Sequence, residues 1–332
     1  MLKKHLYTQF KNLSRTATDK SLTINLSFKK ILKYGSVSIF MLFSFLSFTA
    51  PVQAGGYTDT RYPIVLVHGL AGFDDIGDVI QYFNGIPRAL ERSGTDVHVV
   101  QVSAANSSEV RGEQLLAQVE EIIAVTGAKK VNLIGHSHGS MTARYVAGVK
   151  PSLVASVTSV GGVNWGSAVA DNIDGDNQLL ETASNAFFSL VDLLSAGGFQ
   201  QDSVAALNSL STAGSIAFNQ KFPAGIPSSY CANDGAHKVN GVSYYSWGGS
   251  STLTNIFDPS DYLLSLTSLA FGEPNDGLTS RCSQQLGKVI STNYNMNHLD
   301  EVNQVAGLTA IFSTDPVSLF RQHANRLKRA GL

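Results

Sequence analysis

The feature that most constrains this chain is the pentapeptide Gly135-His136-Ser137-His138-Gly139, set between the apolar run Val131-Asn132-Leu133-Ile134 and a helical stretch over 140–149. A serine on a tight strand-to-helix turn has its hydroxyl thrust out over the edge of a sheet, and flanking glycines let strand and helix pack closely there. The rest of the chain supplies that sheet. Residues 62–67 are apolar and β-branched and end at His68-Gly69, the pattern of a strand buried on both faces; 97–102, 154–160, 242–247 and 288–291 read the same way. Helical spacing runs over 80–92, and an amphipathic helix over 107–126 opens with Ser108 and Glu109 and closes at Gly127. Strands alternating with crossover helices predict an α/β architecture, a mostly parallel central sheet with helices on both faces. The stretch 161–224 breaks the alternation and reads as a helical cap inserted over the sheet.

Length and composition agree with one large domain. The 332 residues are 43% hydrophobic and 15% charged, which excludes disorder, and two cysteines exclude a disulfide-rich scaffold. The formal net charge of −1 conceals a division: the first 54 residues hold eight Lys/Arg and one acid, leaving 16 basic against 24 acidic residues beyond, a net of −8. A surface of that sign repels phosphate backbones, so nucleic acid is not an expected partner. The basic excess belongs to a segment with Lys29-Lys30 and Lys33, an apolar run over 37–50, and Val52-Gln53-Ala54 before Gly55. Cationic, apolar and small-residue zones in that order predict a secretory signal over 1–54. The apolar run is shorter than the roughly 20 residues a membrane span needs. Residues 1–28 make this leader longer than such signals require, which fits a start assigned upstream of the true one. Passage through an oxidising compartment makes Cys231 and Cys282 an expected disulfide.

A serine hydroxyl needs a base to take its proton and dipoles to receive an oxyanion. The helix that starts after Ser137 offers the backbone N–H of His138, and the turn after the first buried strand, His68-Gly69-Leu70, offers that of Leu70. His136 and His138 stand too near the serine in sequence to aim at its hydroxyl and read as packing or orienting groups. In this motif the chain order is serine, acid, histidine. Of the downstream histidines, His237 precedes a strand and His323 lies in a basic terminal helix, whereas His298 follows the polar loop after the last buried strand. Asp258, Asp261 and Asp276 are the acids left for it. Asp276, in the turn Glu273-Pro274-Asn275-Asp276-Gly277, is the one a tight turn holds rigidly.

Three segments, Val67-His68-Gly69-Leu70-Ala71-Gly72-Phe73-Asp74, Gly135–Gly139 and Asn297-His298-Leu299-Asp300-Glu301-Val302-Asn303-Gln304, together resemble the secreted triacylglycerol lipases of Gram-negative bacteria, the Pseudomonas and Burkholderia type. The likeness runs from about residue 62 to 327. It implies the α/β-hydrolase fold, a carboxylic ester hydrolase acting on acylglycerols at a lipid–water interface, the triad Ser137, Asp276 and His298, the oxyanion amides of Leu70 and His138, and the Cys231–Cys282 disulfide. It further implies one structural Ca²⁺, held by the carboxylates of Asp258 and Asp300 and the backbone carbonyls of Gln304 and Leu308. A dedicated lipase foldase chaperone and a type II secretion system are implied by kinship alone. Within the cap, the apolar positions Leu179, Leu180, Ala183, Phe187, Leu190, Val191 and Leu194 give a helix over 178–196 one wide apolar face, which suits a lid. A short-chain or polyester esterase without interfacial activation is the alternative enzyme. A non-catalytic binding protein on the same scaffold would require a broken triad.

Overall fold

The computed structural model describes residues 56–70, 72, 75–76, 80–172, 182, 185, 201–305 and 307–332. The expected leader, and the expected lid helix but for Thr182 and Asn185, lie outside them. Ala54–Leu332 group into one unit.

Its frame is a seven-stranded sheet. In chain order the elements are β1 (Ile64–Val67), α1 (Ile86–Glu91), β2 (Val97–Val100), α2 (Ser108–Thr126), β3 (Val131–His136), α3 (His138–Val149), β4 (Val154–Val160), α4 (Ala168–Asp171), α5 (Ser203–Leu210), α6 (Thr212–Lys221), β5 (Lys238–Val239), β6 (Val242–Gly249), α7 (Pro259–Thr267), β7 (Lys288–Tyr294) and α8 (Pro316–Arg329). The strands lie in the order β2-β1-β3-β4-β6, all parallel. The far side of β6 is shared: β5 pairs antiparallel with its start, through Val239 and Val242, and β7 runs parallel with the rest, from Tyr245 opposite Lys288.

The continuous apolar runs of the central strands follow from burial on both faces. Within β1, Val65 and Val67 join Leu115 and Val119 of α2 and Ala143 and Val146 of α3, while Ile64 and Leu66 join Ile86 and Leu90 of α1 and Phe320 and Leu327 of α8. Period-two alternation thus feeds two cores rather than a core and solvent. α2 begins where Ser107 accepts a hydrogen bond from the Val110 amide and ends at Gly127 in the left-handed conformation, as the sequence predicts.

One expectation changes. Helical spacing over 80–92 predicts a single helix, but Ile80–Gln81 pairs with Asp75–Ile76 in a short antiparallel ladder, and α1 starts only at Ile86. Gly85 has φ of 72° and Pro87 fixes the first turn, so the helix is initiated there and not six residues earlier. The cap is helical where it is described, in α4, α5 and α6. Among the described residues, no helix is long and apolar enough to cross a membrane.

Cys231 and Cys282 form the expected disulfide, closing 51 residues of separation across the polar loop between α6 and β5 and the turn before β7. Replacing both by Ser should lower stability by about 2 to 4 kcal/mol. A drop in urea midpoint at unchanged slope is the expected reading.

Candidate active site

Two neighbouring strand ends create the site. β1 and β3 pair with Val67 opposite Gly135, so the turn after β1 and the turn after β3 emerge side by side at the carboxyl edge of the sheet. Ser137 caps α3 with φ of 56° and ψ of −127°, a conformation that side-chain-bearing residues rarely adopt. Gly139 makes this turn possible: a Cβ there would overlap the carbonyl oxygens of Val67 and His68. The Ser137 amide donates to the Val160 carbonyl at 2.9 Å, tying the turn to β4 as well.

The expected acid and histidine are brought together. His298 Nδ1 and Asp276 Oδ2 lie 2.8 Å apart, and the His298 amide donates to the Asp276 carbonyl at 2.9 Å, so side chain and backbone both join the two loops. Asp276 is fully buried yet well solvated by the protein. Its Oδ1 accepts from the amides of Leu278 at 2.9 Å and Thr279 at 2.6 Å, and its Oδ2 also accepts from Gln284 Nε2 at 3.0 Å. Three donors and the imidazole thus occupy both of its oxygens. His298 Nε2 is buried and makes no hydrogen bond, to Ser137 or to any other group, among the described residues. Such bonds are commonly long before substrate arrives.

His136, read from sequence as an orienting group, bridges this pair to the other strand end. Its ring lies 4.6 Å from the His298 ring, and its Nε2 is 2.9 Å from the His298 carbonyl oxygen. A carbonyl only accepts, so Nε2 carries the proton. Burial, followed by the neighbouring His298, holds His136 far below its ordinary pKa, so the ring is neutral and Nδ1 accepts from the Tyr82 hydroxyl at 2.6 Å. That hydroxyl accepts in turn from the Gly69 amide at 2.9 Å. A continuous chain thus runs from the turn after β1 to the backbone of His298. Glu301 closes the cluster: its Oε1 accepts from the Gly249 amide at 2.5 Å and its Oε2 stands 3.5 Å from His136 Nε2. Burial first, then Asp276, raises its pKa far above the carboxylate range, so it is the protonated acid of the group.

Leu70 and His138, the expected oxyanion donors, flank the serine. Neither backbone amide donates to another described protein group, and Leu70 and Ser137 line one small cavity of about 30 Å³ together with Val163, Leu210 and Leu278. The turn that carries Leu70 is braced by Arg111. Its Nη2 donates to the carbonyls of His68 at 2.6 Å and Gly69 at 3.2 Å, its Nη1 to those of Ser103 and Ala104, and its Nε to Thr142 Oγ1. Burial lowers its pKa to about 9, so the guanidinium stays charged at neutral pH, held by carbonyl dipoles. Sequence reading passes over Arg111, although a signal was there: it falls in register with Leu115, Val119 and Ile122 on the buried face of α2. Tyr82, Gln284 and Glu301 carry no comparable signal. His138 Nε2 meets Ser108 Oγ at 2.9 Å, an orienting contact, and His323 is packed against Trp247 and bonded to Thr158.

The four residues implied for Ca²⁺ lie beside this site. Asp258, Asp261 and Asp300 are buried together, and their mutual repulsion contributes to raised pKa values at Asp258 and Asp300, with desolvation the larger cause at both. Asn297 links them: its Nδ2 donates to Asp261 at 2.6 Å, its amide to Asp300 at 3.1 Å, and its Oδ1 accepts from the amides of Leu299 and Asp300. Asp258 Oδ2 and both amide atoms of Gln304 are buried without a hydrogen-bond partner among the described residues. Buried carboxylates with no ion pair to a basic side chain among the described residues, and with Asp258 Oδ2 left unpartnered, fit a hard divalent cation. Leu308 is partly buried, its amide bonded to the Val305 carbonyl at 2.9 Å. A separate trio, His136, His298 and Glu301, also has ligand-capable atoms within 4.8 Å of one another.

Comparison with known proteins identifies the family and the fold. Residues 62–267 match the family model described as alpha/beta hydrolase fold. A triacylglycerol lipase of Vibrio cholerae is 56% identical over 311 residues, covering 89% of this chain and 99% of the relative. A triacylglycerol lipase of Burkholderia plantarii is 40% identical, covering 85% and 90%. Among solved structures, the mature Bacillus licheniformis lipase BlEst2 superposes with a TM-score of 0.56 at 18% identity, covering 80% of this chain and 92% of that one, a likeness of fold. With its fold, its strained serine turn and relatives of this identity over nearly their full length, the chain belongs to the bacterial triacylglycerol lipases, carboxylic ester hydrolases of the α/β-hydrolase fold.

Proposed function

We propose that the chain is a secreted lipase that hydrolyses acylglycerols at a lipid–water interface through Ser137, His298 and Asp276. The observation that carries this reading is the Asp276–His298 pair, bonded at 2.8 Å and joined through His136 to the strained turn of Ser137. Ser137 Oγ attacks the ester carbonyl while His298 Nε2 takes its proton and returns it to the leaving alcohol. Asp276 fixes the tautomer with the proton on Nδ1 and stabilises the imidazolium. The free amides of Leu70 and His138 receive the oxyanion, and water then hydrolyses the acyl-enzyme. Apolar walls at Leu70, Val163, Leu210 and Leu278 suit an acyl chain. The cavity of about 30 Å³ is far below the roughly 300 Å³ of a ligand pocket, which supports a reading in which the cap opens before substrate enters. The helix over 178–196 is the lid in this reading.

Asp258 and Asp300, with the carbonyls of Gln304 and Leu308, would hold one Ca²⁺, which supplies the positive charge that offsets these buried carboxylates. Asp300 lies two residues from His298, so the same site pins the histidine loop. The leader over 1–54 and the disulfide support export through an oxidising compartment. A lipase foldase and type II secretion follow from the kinship with bacterial lipases.

Initial rate against tributyrin concentration, carried through the solubility limit, tests the reading. A rate that jumps beyond the limit and is lost in Ser137→Ala is expected; a smooth saturating curve identifies an esterase, and no Ser137-dependent rate overturns the enzyme. Ser137→Ala should lower turnover by roughly 10⁵-fold or more and Asp276→Asn by about 10⁴-fold. Phe187→Ser with Leu190→Ser should hurt emulsified substrate more than soluble ester.

The cation site has its own test. Asp300 is pushed up to about 7 in the folded chain, against 3.8 in the absence of the fold. Between these values the unfolded chain has released a proton that the folded one keeps, so rising pH favours unfolding. In EDTA, the urea midpoint of the wild type should fall relative to that of Asp300→Asn as pH rises from about 4 to 7. Calcium should raise the wild-type midpoint and leave that of Asp300→Asn unchanged.

A further inference from the structure

A second pocket, of about 300 Å³, backs onto the catalytic cavity. The same two segments wall both spaces: Ser167, Ala170, Leu278 and Thr279 line the cavity over Ser137, while Gly166, Ala168, Asp171 and Ser280 line the pocket behind it. None of Ser137, His298, Asp276, Leu70 and His138 lines the second space.

Its other walls are aromatic. Trp165, Tyr230 and Phe271 line it, and the rings of Trp165 and Tyr230 stand at 81° to one another with centroids 6.2 Å apart, two sides of a corner. Both are held from behind. The Trp165 amide donates to Ser283 Oγ at 3.0 Å; the Tyr230 hydroxyl donates to Glu273 and meets Ser280 Oγ at 2.7 Å; and Tyr230 adjoins the disulfide at Cys231. The pocket therefore exists before any ligand arrives. Asp171 and Glu273 complete its charged lining, with no Lys or Arg among its described residues. The Thr212 amide and hydroxyl both bond to Asp171, which fixes that carboxylate in place.

Negative charge beside ring faces selects a cation. Hard metal ions and primary ammonium groups keep water that aromatic faces cannot replace, whereas a methylated ammonium spreads its charge over apolar surface and leaves water easily. We propose that the pocket formed by Trp165, Tyr230 and Phe271 with Glu273 and Asp171 binds a quaternary ammonium group, carried by a free choline-like cation or by a phospholipid headgroup.

Calorimetric titration of the full chain with choline, and with the uncharged tert-butyl analogue of choline, tests the charge. Saturable choline binding is expected, about tenfold tighter than the analogue. Trp165→Leu and Glu273→Gln should each weaken choline about tenfold, and Glu273→Gln, close in shape to the original, should keep the wild-type melting temperature. Vesicles of ether-linked phosphatidylcholine and of ether-linked phosphatidylglycerol, which the enzyme cannot hydrolyse, separate the sources. Preference for phosphatidylcholine that Trp165→Leu abolishes assigns the headgroup, and free choline binding without that preference assigns a soluble cation. Equal affinity for choline and its uncharged analogue overturns the proposal, as does an absence of saturation or choline binding untouched by both substitutions.

Discussion

The site depends on backbone touching backbone at the carboxyl ends of β1 and β3. With Val67 paired to Gly135, the chain leaving β3 must turn into α3 directly against the carbonyls of Val67 and His68, and only a residue without a Cβ fits at Gly139. The same closeness recurs at Gly69, where a Cβ would press on Ser137. Strain at Ser137 is the consequence. A residue held at φ of 56° costs of order 1 to 3 kcal/mol and persists only where its surroundings over-determine it, here through β3, α3 and the bond to Val160. The hydroxyl and the flanking amides are placed by that constraint and not by side-chain contacts of the serine.

Around this turn the interior handles charge in two opposite ways. Arg111 is buried without an ion pair and is satisfied by the carbonyl oxygens of Ser103, Ala104, His68 and Gly69, the last two in the turn that carries the Leu70 amide. On the other side of the histidine loop, Asp258, Asp261 and Asp300 are buried together and repel one another. An isolated buried charge is costly unless its hydrogen-bonding capacity is met. Arg111 meets that need with backbone dipoles; the aspartates gather three carboxylates around one oxygen, Asp258 Oδ2, that has no hydrogen-bond partner among the described residues, which is why they fit a divalent cation.

Neutral groups join the two halves. His136 is kept uncharged by burial, and so it can accept from Tyr82 on one ring nitrogen while donating to the His298 carbonyl from the other. Protonation of the ring would reverse the first of these bonds, with Nδ1 donating to the Tyr82 oxygen. Coupling between the turn after β1 and the histidine loop therefore rests on a tautomer, and the tautomer rests on the exclusion of water.

From the sequence alone come the alternation of strands and helices, the serine turn and the extent of α2 up to Gly127. These are local: they depend on side-chain period, on Gly and Ser at fixed offsets, and on short-range hydrogen bonds. The extended helix over 80–92 failed at Gly85 and Pro87, where backbone preference overrode apolar spacing. Sequence favours Asp276 over Asp258 and Asp261 only through its tight turn and the family resemblance; the contacts with Gln284, Leu278 and Thr279 that hold its carboxylate against His298 are tertiary. Tyr82, Glu301 and the Trp165–Tyr230 corner were likewise decided only by tertiary structure. Their partners stand tens of residues or more away in the chain, and no local pattern records a contact that exists only once the sheet has closed its crossovers.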